Sequence, residues 1–228
     1  MKVEISKTEL VNHVNRQLGN FFGPNCDISG YIDESLFRVE KCFTKSMNKY
    51  YRDTSTNEIC FSPYNTSQYT VFLYFLSNTI GRTQNELAVK VYYLNKIMHS
   101  VDLYFAIELP EYWGVEHPLG SVMGRAKYKS GLFFYQGCTI GGNKGAYPVL
   151  GNNTILYSNV TILGNTKIGD NVIFSSGTTV KDEIIPENCL VFGQSPNLII
   201  KKKDQTYMQE KISKFWNDSF IRNEGQIE

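Results

Sequence analysis

From residue 150 the chain can be written in sixes: LGNNTI, LYSNVT, ILGNTK, IGDNVI, FSSGTT, VKDEII. The lead residues Leu150, Leu156, Ile162, Ile168, Phe174 and Val180 are all apolar, and the fifth residues Thr154, Val160, Thr166, Val172, Thr178 and Ile184 are all β-branched. A period of six fits neither the 3.6 of a helix nor the two of an ordinary strand. It is the period of a parallel β-helix, in which each hexad makes one short strand and one corner. The lead residue points into the prism, the β-branched residue packs beside it, and Gly or Asn accepts the tight corner conformations. Three hexads close a triangular coil, and stacked coils bury a continuous aliphatic core.

The spacing continues upstream at Leu103, Leu109 and Val115, so the coil is expected to begin near residue 102, with irregular hexads over 116–140. Ten residues separate Ile140 from Leu150, and "IGGNKGAYPVL" reads as a loop pushed out from a corner, a place for function because the stack does not need it. Residues 1–101 read as a mainly helical domain. Leu87, Val91, Leu94, Met98 and Val101 form one apolar helical stripe, "QYTVFLYFLSN" reads as a second helix, and "STNEICFSPYNTSQ" as a loop ending at a helix cap. Met208, Ile212 and Phe215 return to helical spacing, giving a C-terminal amphipathic helix over 204–228. The fold class is therefore α+β: a helical domain (1–101), a β-helix domain (102–203) and a terminal helix.

A chain of 228 residues, 42% hydrophobic and 20% charged, is long enough to bury a sizeable core. Its net charge of +1 gives no general attraction to nucleic acid or anionic membrane, and Lys201–Lys203 is too short a run to change that. The longest strongly apolar stretch, 69–76, is far too short to span a bilayer. Five widely spaced cysteines without a Cys-x-x-Cys pair, together with a polar N-terminus, predict reduced thiols in a cytoplasmic protein without structural zinc.

Of the three histidines, His117 lies in "WGVEHPLG", just ahead of the repeats; His13 and His99 lie in helical context. A lone histidine beside proline is usually a polar turn residue. Its neighbourhood, however, resembles the serine acetyltransferase family of hexapeptide-repeat acyltransferases in three pieces. In "SVDLYFAIELPEYWGVEH", Asp102 precedes His117 by fifteen residues; "CTIGG" follows at Cys138; and "YPVLGNNTILYSNVTILGNTKIGDNVIFSSGTTV" leads to "FGQSPNLII". The resemblance covers roughly residues 100–200, and it implies a left-handed β-helix.

It also implies acetyl-CoA as co-substrate, bound in a groove between neighbouring prisms, with no metal. His117 takes the role of general base and Asp102 that of its orienter. Imidazole titrates near neutrality, and a carboxylate on its far nitrogen fixes the tautomer. Glu116 matches a family acid linked to acceptor binding. Gly141, Ser158 and Ser176 match positions where the backbone approaches the pantetheine arm; Gly142, Asn159 and Gly177 lie beside them, and Lys181 and Lys201–Lys203 are candidates for the phosphates. Each is also an ordinary corner or surface residue.

The resemblance fails in the protruding loop. Where the family has Arg-His-Pro, this chain has Ala146, Tyr147 and Pro148, so the guanidinium that would pair with an acceptor carboxylate is missing. Tyr147 and Trp113, with Tyr112, Phe133, Phe134 and Tyr135 nearby, are candidates to stack on a sugar ring. The chain ends in "GQIE" rather than the isoleucine with which serine acetyltransferases dock cysteine synthase. These departures point to a sugar or glycan-precursor hydroxyl, as in polysaccharide modification, with serine as the alternative acceptor and a non-catalytic scaffold as the rival class. A zinc carbonic anhydrase on the same fold would need more histidines than His117 in the coil region. The expected assembly is a homotrimer or a dimer of trimers.

Overall fold

The computed structural model describes residues 1–217. Four helices form the N-terminal region: α1 (Lys7–Phe22), α2 (Ile32–Lys45), α3 (Thr66–Ile80) and α4 (Asn85–His99). A capping box starts α1, with Ser6 accepting from the Glu9 amide and Glu9 accepting from the Ser6 amide. At α3 the expected loop ends in a cap, as the Asn65 side chain accepts from the Gln68 amide. Every residue from Gln68 to Ile80 is buried, so α3 is the central helix of this region rather than an amphipathic one.

In α4 the expected stripe holds for Leu87, Val91 and Leu94, but Met98 is exposed and the polar pair Asn95 and His99 is buried instead. Pairing makes this tolerable. Asn95 Nδ2 donates to the Thr70 carbonyl at 3.1 Å, and Asn95 Oδ1 lies 2.7 Å from His99 Nδ1. Burial pushes the His99 imidazole down to about 4. The stability this histidine supports is therefore complete above its unfolded pKa of about 6.5 and is lost as pH falls from there to about 4, in all about 3 kcal/mol. Urea denaturation between pH 7 and 4 should show that loss in the native chain and a smaller one in His99→Gln.

The segment 103–112 carries no strand, although the six-residue spacing predicts one. Leu103 and Leu109 are buried as the spacing requires, but α3 holds the backbone instead of a neighbouring coil. The Tyr74 hydroxyl donates to the Ile107 carbonyl at 2.6 Å and accepts from the Leu109 amide at 2.8 Å, while Asn78 Nδ2 donates to the Phe105 carbonyl at 2.7 Å. From this segment's start, Asp102 alone joins the ladder, as a parallel bridge to Val122.

From Trp113 onward the chain winds as a prism with three parallel faces. The first contains Trp113–Val115, Leu132–Phe134, Thr154–Leu156, Val172–Phe174 and the start of Cys189–Gln194. The second contains Val122–Met123, Thr139–Gly141, Thr161–Leu163 and Thr179–Lys181, and the third Lys127–Tyr128, Val149–Leu150, Lys167–Ile168 and Ile184–Ile185. Thr154 pairs with Val172 and Ile162 with Val180, one full coil of three hexads apart. All six lead residues are buried, and at one corner Asn153, Asn171 and Asn188 stack in the left-handed conformation with their amides joined at 2.9 and 3.1 Å.

The last coil departs from the hexad register. Ile184, expected inside, is 76% exposed, and Ile185 is buried. Ile168 pairs with Ile185 rather than with residue 186, so this coil is one residue short and the slip turns Ile184 outward.

The prism closes with an antiparallel hairpin of Cys189–Gln194 on Asn197–Lys202, joined by a cis Ser195–Pro196 bond. Helix α5 (Gln205–Ile212) follows and lays Met208 and Ile212 against the prism. It is shorter than the spacing predicts. After Ile212 the chain tightens into a turn that delivers Trp216 to the core, where its indole donates to the Gly131 carbonyl at 3.1 Å and Ser46 bridges its backbone. The expected continuation of the helix beyond Asn217, and the "GQIE" end, lie outside the described residues. Among the described residues no helix is long and apolar enough to cross a membrane.

Candidate active site

The site begins at the corner between the first and second faces. The residue leaving each first-face strand donates its amide to the next coil: Glu116 to Phe134, Tyr135 to Leu156, Tyr157 to Phe174, Ser175 to Val191. In the ordinary corners the very next carbonyl accepts from that coil, Gln136 from Asn159 and Ser158 from Gly177. In the top coil the accepting carbonyl is that of Leu119, from Gly137 at 2.9 Å, so His117 and Pro118 are two additional residues in this corner. His117 takes the left-handed conformation, φ 51°, and stands exposed on the bulge, while Pro118 is buried and anchors it. The bulge presents an imidazole to solvent that a regular corner would not.

Asp102 lies at the same end of the prism, at the top of the second face above Val122. Its Oδ1 accepts from the Tyr92 hydroxyl at 2.8 Å and its Oδ2 from Lys96 Nζ at 2.5 Å. Among the described residues no hydrogen bond joins Asp102 to His117. Each carboxylate oxygen keeps a second lone pair, so the two α4 side chains fix Asp102 without exhausting it. Glu116, beside His117, accepts from Asn48 Nδ2 at 3.1 Å. Burial, then the Glu116 charge, pushes the Tyr135 phenol up to about 12, so it keeps its proton beside that carboxylate. Tyr135 in turn stacks on Tyr157, 5.4 Å between ring centres and 3° between planes.

The residues expected along the coenzyme fall into two columns on either edge of the second face. Ser158, Asn159, Ser176 and Gly177 follow the corner below His117, and Gly141 and Lys181 end strands in register with Leu163 between them. Thr139, Thr161 and Thr179 stand in register on the strands between the columns, giving a strip of small side chains. At the strip's far edge the expected loop is a tight hairpin. Asn143 and Ala146 exchange backbone hydrogen bonds at 2.9 and 3.0 Å around Lys144 and Gly145, both at positive φ, the geometry of a type I′ turn. Tyr147 folds back over Gly142, where a Cβ would come within 2.5 Å of its ring, and the phenol remains 44% exposed.

Trp113 requires a correction. It is 1% exposed, stacked on Phe134 and edge-on to Tyr74, so it belongs to the core beneath the site and does not reach a substrate. Tyr112, Phe133 and Phe134 are likewise buried, leaving Tyr135 as the partly accessible member of that group. Conversely, Asn48, Tyr92 and Lys96 escaped the sequence reading because they lie in the helical region. Tyr92 and Lys96 are four apart on one face of α4, just before Asp102, which was the available signal. Among the described residues no three His, Cys, Asp or Glu side chains gather as a metal site.

Residues 147–182 match the family described as bacterial transferase hexapeptide (six repeats). A serine acetyltransferase of Synechococcus elongatus is 28% identical over 106 residues, 44% of this chain and 43% of that protein. The chain thus spans less than half the length of the curated relatives it matches. Among solved structures, serine acetyltransferase from Neisseria gonorrhoeae superposes with a TM-score of 0.66 at 20% identity, over 88% of this chain and 81% of that one. A serine acetyltransferase in complex with CoA gives 0.62 at 17% identity, over 82% and 81%. At these identities the superpositions speak for the fold, helical region included. The chain is a hexapeptide-repeat β-helix protein, similar in its repeats to serine acetyltransferases and sharing their fold.

Proposed function

We propose that the protein transfers an acetyl group from acetyl-CoA to a hydroxyl, with His117 as general base. The observation that carries this reading is the two-residue bulge that lifts His117 out of the corner at the head of a strip of small residues. In the proposed step the imidazole removes the acceptor's hydroxyl proton as its oxygen attacks the thioester carbon. The tetrahedral intermediate then collapses, and the imidazolium returns the proton to the departing coenzyme sulfur. Asp102, fixed by Tyr92 and Lys96, would orient the ring and offset its positive charge once His117 turns towards it. Glu116, held by Asn48, stands beside the base to bind the acceptor, and the Gly141, Ser158 and Ser176 positions leave room for the pantetheine arm.

For the acceptor, the relatives favour serine. The sugar suggested by Tyr147 and the neighbouring aromatic residues has no support from them, and most of those aromatics are buried. Serine is therefore the acceptor proposed, with the site completed by a second copy in a trimer and the protein working in the cytoplasm, where its five unpaired cysteines remain reduced. An acceptor panel of serine, homoserine, amino sugars and nucleotide sugars, read by free-thiol release, tests this. Turnover should be largest with serine; a larger rate with any sugar would reverse the acceptor assignment.

A further inference from the structure

The C-terminal segment reaches the site by a route that runs through the helical region. Lys45, Ser46 and Met47, at the end of α2, pair antiparallel with Phe215, Trp216 and Asn217. The Met47 amide donates to the Phe215 carbonyl at 2.9 Å, the Asn217 amide donates to the Lys45 carbonyl at 2.9 Å, and Ser46 and Trp216 bridge between them. Phe215 is itself packed on the first face of the prism, 4.8 Å from the Phe133 ring centre. The pairing delivers the very next residue, Asn48, to Glu116, 68 residues away in sequence.

Three hydrogen bonds orient Asn48. Its amide donates to the buried Ser46 hydroxyl at 3.2 Å, its Oδ1 accepts from the Tyr50 amide at 3.0 Å, and its Nδ2 donates to the Glu116 carboxylate at 3.1 Å. The Tyr50 bond caps the short turn Lys49–Tyr51, whose Tyr51 is buried on Phe43 with 4.3 Å between ring centres. With Oδ1 committed to that cap, the side chain can turn only its NH₂ group to Glu116, so the direction of the bond is fixed. A donor anchored in this way holds the carboxylate to one orientation, beside the bulge that carries His117.

We propose that Asn48 is a positioning residue that sets Glu116 for acceptor binding, and that the pairing of 45–47 with 215–217 sets Asn48. The C-terminal segment thereby governs the acceptor side of the site without touching it. The assignment rests on the reading of Glu116 as the acid that binds the acceptor. Steady-state kinetics of the full chain with acetyl-CoA and the preferred acceptor of the panel above tests it in Asn48→Asp, Met47→Pro, the two combined, and Glu116→Gln. Asn48→Asp keeps the oxygen that caps Tyr50 but removes the donor and sets a second carboxylate against Glu116. It should raise KM for the acceptor roughly tenfold or more, the worth of a hydrogen bond to a charged group, with kcat, KM for acetyl-CoA and the thermal midpoint little changed. Met47→Pro deletes one N–H of the pairing under an exposed side chain, and Ser46 before it already has the extended backbone, ψ 139°, that proline favours in its predecessor. Alone it should raise the same KM about two- to tenfold, and it should add nothing in the Asn48→Asp background, because both act through one bond. A near-native acceptor KM in Asn48→Asp, or effects of the two substitutions that multiply, would overturn the assignment. A near-native acceptor KM in Glu116→Gln would instead remove the reading of Glu116 on which it rests.

Discussion

His117→Ala is expected to lower acetyl transfer by about 10²–10⁴-fold, the usual contribution of a positioned general base. Coenzyme affinity should change little, because the small residues proposed to line the pantetheine arm, Ser158, Ser176 and Gly141, lie further down the prism. The fold should also survive. His117 is exposed on a bulge and makes no hydrogen bond among the described residues, so its side chain supports no packing. Steady-state kinetics separates chemistry from structure here: kcat should fall in the variant while KM for acetyl-CoA and the thermal midpoint change little. A variant with near-native kcat would mean that the bulge has another purpose.

The largest expected loss of stability comes from Trp216→Ala. Trp216 is fully buried beyond the end of α5, packed edge-on against Tyr112 and Phe133 and lying over Gly114, where a Cβ would meet its ring at 3.2 Å. Its indole donates to Gly131, and the neighbouring backbone continues the link: Met47 donates to Phe215 at 2.9 Å and Asn217 to Lys45 at 2.9 Å. One side chain therefore pins the C-terminal segment to the prism and to the end of α2 together. Truncation of a buried tryptophan costs about 3–5 kcal/mol, and the orphaned Gly131 carbonyl adds to it. Urea unfolding should show the midpoint falling accordingly; a shift below about 1 kcal/mol, the range of an ordinary surface change, would show that α5 alone holds the segment.

How far the sequence foretold this structure depends on how local each signal was. The hexads state the prism almost outright, because a six-residue period has one structural solution and every lead residue it named is buried. The one-residue shortening before Ile185 escaped notice, since Ile184 and Ile185 satisfy the apolar pattern equally and pairing with Ile168 decides between them. Leu103 and Leu109 kept the spacing, yet Tyr74 and Asn78 of α3 took over the backbone partners that a strand would have needed. In the site, His117 and Glu116 were legible as neighbours in one motif. The surroundings that hold Asp102 and Glu116 come from Tyr92, Lys96 and Asn48, whose relation to the motif exists only once the helical region docks on the prism. Trp113 misled for the opposite reason: beside the histidine in sequence, it points inward as the strand alternation requires.

The central claim is acetyl transfer by His117, and free-thiol release from acetyl-CoA in the presence of serine, with native chain and His117→Ala side by side, tests it most directly. The account predicts saturable, serine-dependent release by the native chain that falls by about 10²–10⁴-fold in the variant. Release that persists in the variant, or a native chain that neither turns over nor binds acetyl-CoA, would contradict it and leave the β-helix as a scaffold.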